Sequence, residues 1–120
     1  MSLPLTPEML AAAYDFLRTT PPFRGWRLPH SDAIELSVGC QRDREAHYSR
    51  YLRTSDHIIV VSSTRVGHTN TLLAAIAHEM IHLHQATTKH ETSGVMHNAD
   101  FRKHARTVCR WHGWDAKSFV

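Results

Sequence analysis

Cysteine is scarce in this chain. Cys40 and Cys109 stand far apart, and no C-x-x-C pair occurs. That excludes a zinc ribbon and a dithiol redox site, and both thiols are expected to be small buried residues rather than a disulfide or ligands. Long apolar runs are also lacking: none approaches the ~18 residues that a membrane span requires. Met1-Ser2-Leu3-Pro4-Leu5 has neither the basic lead nor the apolar core of a signal peptide, so a cytoplasmic address and no membrane partner are expected. Lysine is rare, with three against eleven arginines, and the net charge is only +3. Arginine suits the recognition of paired oxygens, yet a charge this small is the ordinary charge of a soluble surface. No repeat or low-complexity segment is found. A chain of 120 residues with 42% hydrophobic content is enough for one domain, 1–120, with a modest core.

Against this plain background one stretch stands out. His78-Glu79-Met80-Ile81-His82 reads H-E-x-x-H. Residues four apart on an α-helix share a face, so His78 and His82 can address one ion while Glu79 handles a water proton. With eleven histidines and five glutamates, chance produces such a motif in about 4% of sequences of this composition. Local context therefore has to decide. Leu72, Ile76 and Leu83, with Leu73 and Met80 beside them, recur at helical steps. Thr69 is expected as the N-cap, and the pattern fades at Thr87 and Thr88. Such a helix is apolar enough to be largely buried, where histidine and glutamate are costly unless paired or bound to metal.

The rest of the chain reads as elements around that helix. Thr6-Pro7-Glu8 is a helix start, followed by Leu10, Ala13, Tyr14 and Leu17 on one face and ended by Thr20-Pro21-Pro22. Residues 23–30 form an irregular connection whose aromatics cover the core. Three short strands follow, at Ile34 to Gly39, Tyr48 to Leu52 and His57 to Ser62; the third is the most apolar and is expected at the centre. Short connections favour antiparallel neighbours, so the expectation is α+β: an N-terminal helix, a small three-stranded antiparallel sheet, the motif helix and a C-terminal helix. Arg42, Arg44, Arg50 and Arg53 interleave with Tyr48 and Tyr51 as in a nucleic-acid surface, but Asp43, Glu45 and Asp56 dilute them, which favours a solvated face. In the last helix, Asn98 is a cap, Gly113 a stop and Phe101, Ala105 and Val108 the buried stripe. Arg102, Lys103, Arg106 and Arg110 form a second, basic stripe, a candidate for phosphate contacts with DNA.

Two ligands from one helix leave zinc short of a site, because catalytic zinc takes three protein groups. His97 leads as the third, since it opens a rigid element after a reversing loop; Glu91 and His90 are the rivals in the flexible part of that loop. His84 lies about 200° round the helix from His82 and cannot share its ion. His68 could line the cleft, and Asp100 is a candidate to accept the second-ring proton of a ligand histidine. Tyr48, Tyr51, His68 and the nearby arginines are candidates to stabilise an oxyanion.

At these residues the chain resembles a known family. His78-Glu79-x-x-His82, a spacer of fourteen residues and His97-x-x-x-Phe101 are similar to the SprT-like (Spartan-type) zinc metalloprotease domain, a zincin whose members cleave proteins attached to DNA. Asn98 stands where the family pattern has glycine. The resemblance implies a zinc ion held by His78, His82 and His97, with Glu79 as general base in peptide-bond hydrolysis. It also implies a protein or peptide substrate and weak, nonspecific DNA contact. The zinc ribbon and separate DNA-binding segments that many members carry do not occur in these residues. Two readings follow: a zinc endopeptidase, or a zinc-stabilised, catalytically weak module that binds DNA or protein. The acid at position 79 favours the enzyme, because a structural zinc site needs no carboxylate there.

Overall fold

The computed structural model describes residues 4–50 and 56–119. Helix α1 spans Pro7–Arg18, and the Thr6 side chain accepts the Met9 N–H at its start. Its apolar face buries Leu10, Tyr14 and Leu17. Two 3-10 turns, Phe23–Gly25 and Ser31–Ala33, carry the chain to strand β1 (Glu35–Gly39), followed by β2 (Ala46–Arg50) and β3 (His57–Ser62). Helix α2 is Thr69–Thr88, α3 is Ala99–His112 and a short α4 is Ala116–Phe119. The architecture is thus α+β, with one helix more than the sequence suggests.

The sheet is mixed rather than antiparallel. Its order is β1-β3-β2, with β1 parallel to β3 and β2 antiparallel to it. The third strand takes the centre, as its apolar run demands: Ile59 and Val61 are fully buried, and a central position pairs both of its edges. The connection 40–45 carries the chain past the slot that β3 fills. It is stitched to the end of β3 and the turn beyond it, where the hydroxyls of Ser62 and Thr64 donate to the carbonyls of Gln41 and Cys40. These long-range bonds are invisible to a rule based on connection length, which led to the expectation of antiparallel neighbours throughout. Gly39 is required where β1 meets this crossing, because a Cβ there would lie 2.8 Å from Val60 Cγ1. The crossing also exposes Cys40, contrary to expectation, whereas Cys109 is buried. The run beyond Arg50, with Tyr51 and Arg53, lies outside the described residues.

Helix α2 is the spine. Leu72, Ile76, Ala77, Met80, Ile81 and Leu83 are buried along it, and it packs on α1, α3, β2 and β3. The buried apolar residues form one cluster. The cap position before α2 is His68, not Thr69, and no side chain caps it; Thr69 is already helical. Lys89 ends the helix in a left-handed conformation. Asn98 caps α3 through the Phe101 N–H, and Gly113 terminates it with φ +76°, a conformation natural to glycine. Among the described residues no helix is long and apolar enough to cross a membrane.

The strand order makes a stability prediction. Ile59→Ala in the central strand should cost about 2–5 kcal/mol, and Leu36→Ala in β1, which is only partly buried, should cost less. Urea unfolding of the two variants checks this; an equal or larger loss at Leu36 would contradict the central place of β3.

Candidate metal centre

His78 and His82 project from one face of α2 as their spacing requires, and the chain returns His97 to them at the start of α3. One ring nitrogen from each of the three lies within 4.8 Å of the others, and His78 Nε2 is 3.1 Å from His97 Nε2. A tetrahedral ion with nitrogen bonds of about 2.0–2.1 Å holds its ligand nitrogens roughly 3.3 Å apart. The three imidazoles therefore fit such an ion. Buried Phe101 lies against all of them: its ring centroid is 5.0 Å from that of His78, 4.5 Å from His82 and 4.4 Å from His97. Glu91 and His90, the rival third ligands, are engaged elsewhere, with Arg50 and Thr88.

Asn98 explains why the loop closes this way. Its Oδ1 accepts the Phe101 N–H at 2.9 Å, while its Nδ2 donates to the His90 carbonyl and to Thr92 Oγ1. From α2, the buried Gln85 donates to Asn98 Oδ1 and to Asp100 Oδ2. The amide thus ties loop, helix cap and motif helix together beside His97. Asp100 does not touch a ligand histidine; it accepts from Gln85 and lies 3.6 Å from His104. The second-ring partner is instead the carbonyl of Phe119, which accepts from His78 Nδ1 at 2.8 Å. A carbonyl can only accept, so Nδ1 carries the proton and Nε2 presents its lone pair to the cluster. Phe119 escaped the sequence reading because a backbone carbonyl has no residue signature. Its position follows from Asp115, which caps the short α4, and from Trp114, whose indole donates to Asn70 at the start of α2.

Burial sets the protonation of the site. It pushes His78 down to about 4 and His82 down to about 3, with the neighbouring imidazoles adding to the effect, and it lowers His97 as well. Burial pushes the Glu79 carboxyl up to about 8, against the opposing pull of the Arg44 charge and the Tyr48 backbone N–H. At neutral pH the three imidazoles are accordingly neutral, the form that binds metal, and Glu79 is the group with a proton to exchange.

Two cavities flank the triad. One, of about 290 Å³, is lined by Arg44, Arg65, His78, Glu79 and Phe119 among others. The second, of about 250 Å³, is lined by Tyr48, His82, Glu91, Val95 and Met96 among others. Strand β2 contributes to both, through Ala46 and Tyr48. His68 is exposed and lines neither. The Tyr48 hydroxyl is hydrogen-bonded to His57 Nδ1, and Tyr51 is outside the described residues, so among the oxyanion candidates Arg44 is the one set beside Glu79. His84 turns away from the triad and stacks on Trp26, with centroids 4.2 Å apart. Arg102, Lys103, Arg106 and Arg110 are all exposed on α3, opposite its buried stripe. Compared with models of known protein families the chain matches none, and no curated protein matches it.

The opposed shifts predict a pH signature in chelator-treated protein. The depressed histidines contribute stability that is present above their unfolded value of about 6.5 and lost as pH falls toward 4 and 3. Glu79, raised to about 8, contributes stability that is present below its unfolded value of about 4.3 and lost as pH rises through 8. Glu79→Gln removes only the second contribution. The melting temperature of Glu79→Gln relative to the parent should therefore climb between about pH 5 and 8; parallel profiles for the two proteins would contradict the buried, proton-holding carboxyl.

Proposed function

We propose that this chain is a zinc-dependent endopeptidase of the SprT-like, zincin type. The observation that carries the reading is the convergence of His78, His82 and His97 within 4.8 Å beside a buried glutamate in an open cleft. Three neutral imidazoles are the donor set of a catalytic zinc site that keeps one position for water. Zinc in that site supplies Lewis acidity, polarising the scissile carbonyl and the attacking water.

The chain's own residues do the remaining work. Glu79 takes a proton from the water and returns it to the leaving amine. Burial raises this carboxyl in the metal-free site, and the charge of a bound cation would oppose that shift, favouring the carboxylate that accepts the proton. The Phe119 carbonyl and the Phe101 ring hold the imidazoles in orientation. Strand β2 is at the edge of the sheet, so an extended peptide laid along it by strand addition would run from one cavity to the other.

Glu79→Gln should retain one zinc per chain and lose peptide hydrolysis by about 10²–10⁴-fold, since it removes the base without removing a ligand. Metal content and cleavage of a flexible protein substrate check this. Equal activity of the two proteins would sink the mechanism, and loss of zinc from the variant would make Glu79 structural.

The exposed stripe of Arg102, Lys103, Arg106 and Arg110 supports substrates that are themselves bound to DNA. Phosphate contacts from these residues would be weak and without sequence preference, with a dissociation constant of about 10⁻⁴ to 10⁻⁶ M and a steep dependence on salt. Reversing Arg102, Arg106 and Arg110 to glutamate should abolish DNA binding and leave zinc in place. No detectable binding by the parent at low salt would leave a plain zinc peptidase.

A further inference from the structure

The two cavities differ in chemistry. The one beyond His82 is walled by Val95, Met96 and Tyr48, and its one acid, Glu91, lies 3.2 Å from Arg50. The one beside Glu79 is walled by two guanidinium groups, Arg44 and Arg65. Arg65 is held in place by donating from Nη1 to the Arg42 carbonyl at 2.9 Å, which orients a planar fork of donors. Arg44 touches Asp43 at 3.3 Å, with both side chains at least half exposed, and water screens such a pair so strongly that it is readily exchanged for another carboxylate. The same wall carries two acids, Glu45, which like both arginines is exposed, and the buried Glu79, to which the peptidase reading gives the proton. Two arginines converging on a small cavity form the donor arrangement that recognises a planar carboxylate in paired hydrogen bonds.

We infer that the cavity between Arg44 and Arg65 is a specificity subsite for an aspartate or glutamate side chain of the substrate, next to the bond to be cleaved. The inference rests on the peptidase reading and extends it to a substrate class. Because arginines line only one of the two cavities, the acidic residue is accepted on that side alone, and the opposite cavity, with Val95, Met96 and Tyr48 on its wall, takes an apolar residue. The Arg65 bond to the Arg42 carbonyl uses one nitrogen, Nη1, and leaves the other guanidinium donors for a carboxylate.

The test uses zinc-loaded protein and a positional set of fluorescence-quenched decapeptides. Each carries Glu or Gln at one position of an otherwise common sequence of Ala, Ser and Leu. For the parent, kcat/KM should favour Glu over Gln at a single position by about tenfold or more, as expected for one charge-assisted contact, and the ratio should shrink with added salt. In Arg44→Gln/Arg65→Gln the ratio should fall to about one. A ratio near one in the parent, or a ratio kept in the double variant, overturns the subsite. If the double variant does not fold, as judged by zinc content and melting, the single variants and the salt titration of the parent decide by the same ratio. If the parent cleaves no peptide at all, the peptidase reading fails on its own account. Binding of the same peptides, labelled with fluorescein, then judges the subsite: a Glu preference lost with the arginines supports it, and equal binding of Glu and Gln peptides overturns it.

Discussion

A helix buried on nearly all sides must find a use or a partner for nearly every polar group it takes into the core; on α2 the buried His84 Nδ1, with no hydrogen-bond partner among the described residues, is the exception. That constraint governs this protein. Helix α2 carries His78, Glu79, His82 and Gln85 among Ile76, Met80, Ile81 and Leu83. Each of those polar groups would be costly alone. Gln85 is satisfied by Asn98 and Asp100, His78 by the Phe119 carbonyl, and Glu79 by the Tyr48 N–H. The ring nitrogens that remain face one another, at a separation that suits a metal ion better than an apolar core.

The same burial divides the labour of protonation. Desolvation acts against whichever form is charged, so it lowers the imidazoles and raises the carboxyl from a single cause. The imidazoles are thereby kept unprotonated and the carboxyl kept protonated, although they are neighbours in sequence. Phe101 strengthens the distinction by presenting an apolar ring to all three histidines. It restricts their rotation and keeps water from solvating their charged forms.

Elements far apart in the chain complete the site, two through side chains and one through a backbone carbonyl. The crossing between β1 and β2 brings Arg44 to one wall, the turn after β3 brings Arg65, and α4 brings Phe119. The mixed sheet is what makes this possible. With β3 in the middle, β2 is displaced to the edge beside α2, and its connection to β1 is carried over the mouth of the cleft. A simple meander would have left β2 central and the arginines elsewhere.

The sequence by itself determined the motif helix, the two-ligand face and its adjacent acid, because a four-residue repeat on an α-helix is a local property. Helix α1 with its Thr6 cap and the last helix with Asn98 and Gly113 were legible for the same reason, as was the central place of β3 from its continuous apolar run. That His97 joins His78 and His82 was legible only with rivals, since distance across a loop is not a local quantity. Tertiary structure alone decided the parallel pairing of β1 with β3, which hydrogen bonds from Ser62 and Thr64 to residues 40–41 accompany. It also exposed Cys40, moved the cap of α2 to His68 and sent Asp100 to Gln85 and His104 rather than to a ligand. The Phe119 carbonyl and the arginine pair belong to this second group. A carbonyl has no side-chain identity to read, and an arginine on a loop looks like any solvated cation until the fold shows what it faces.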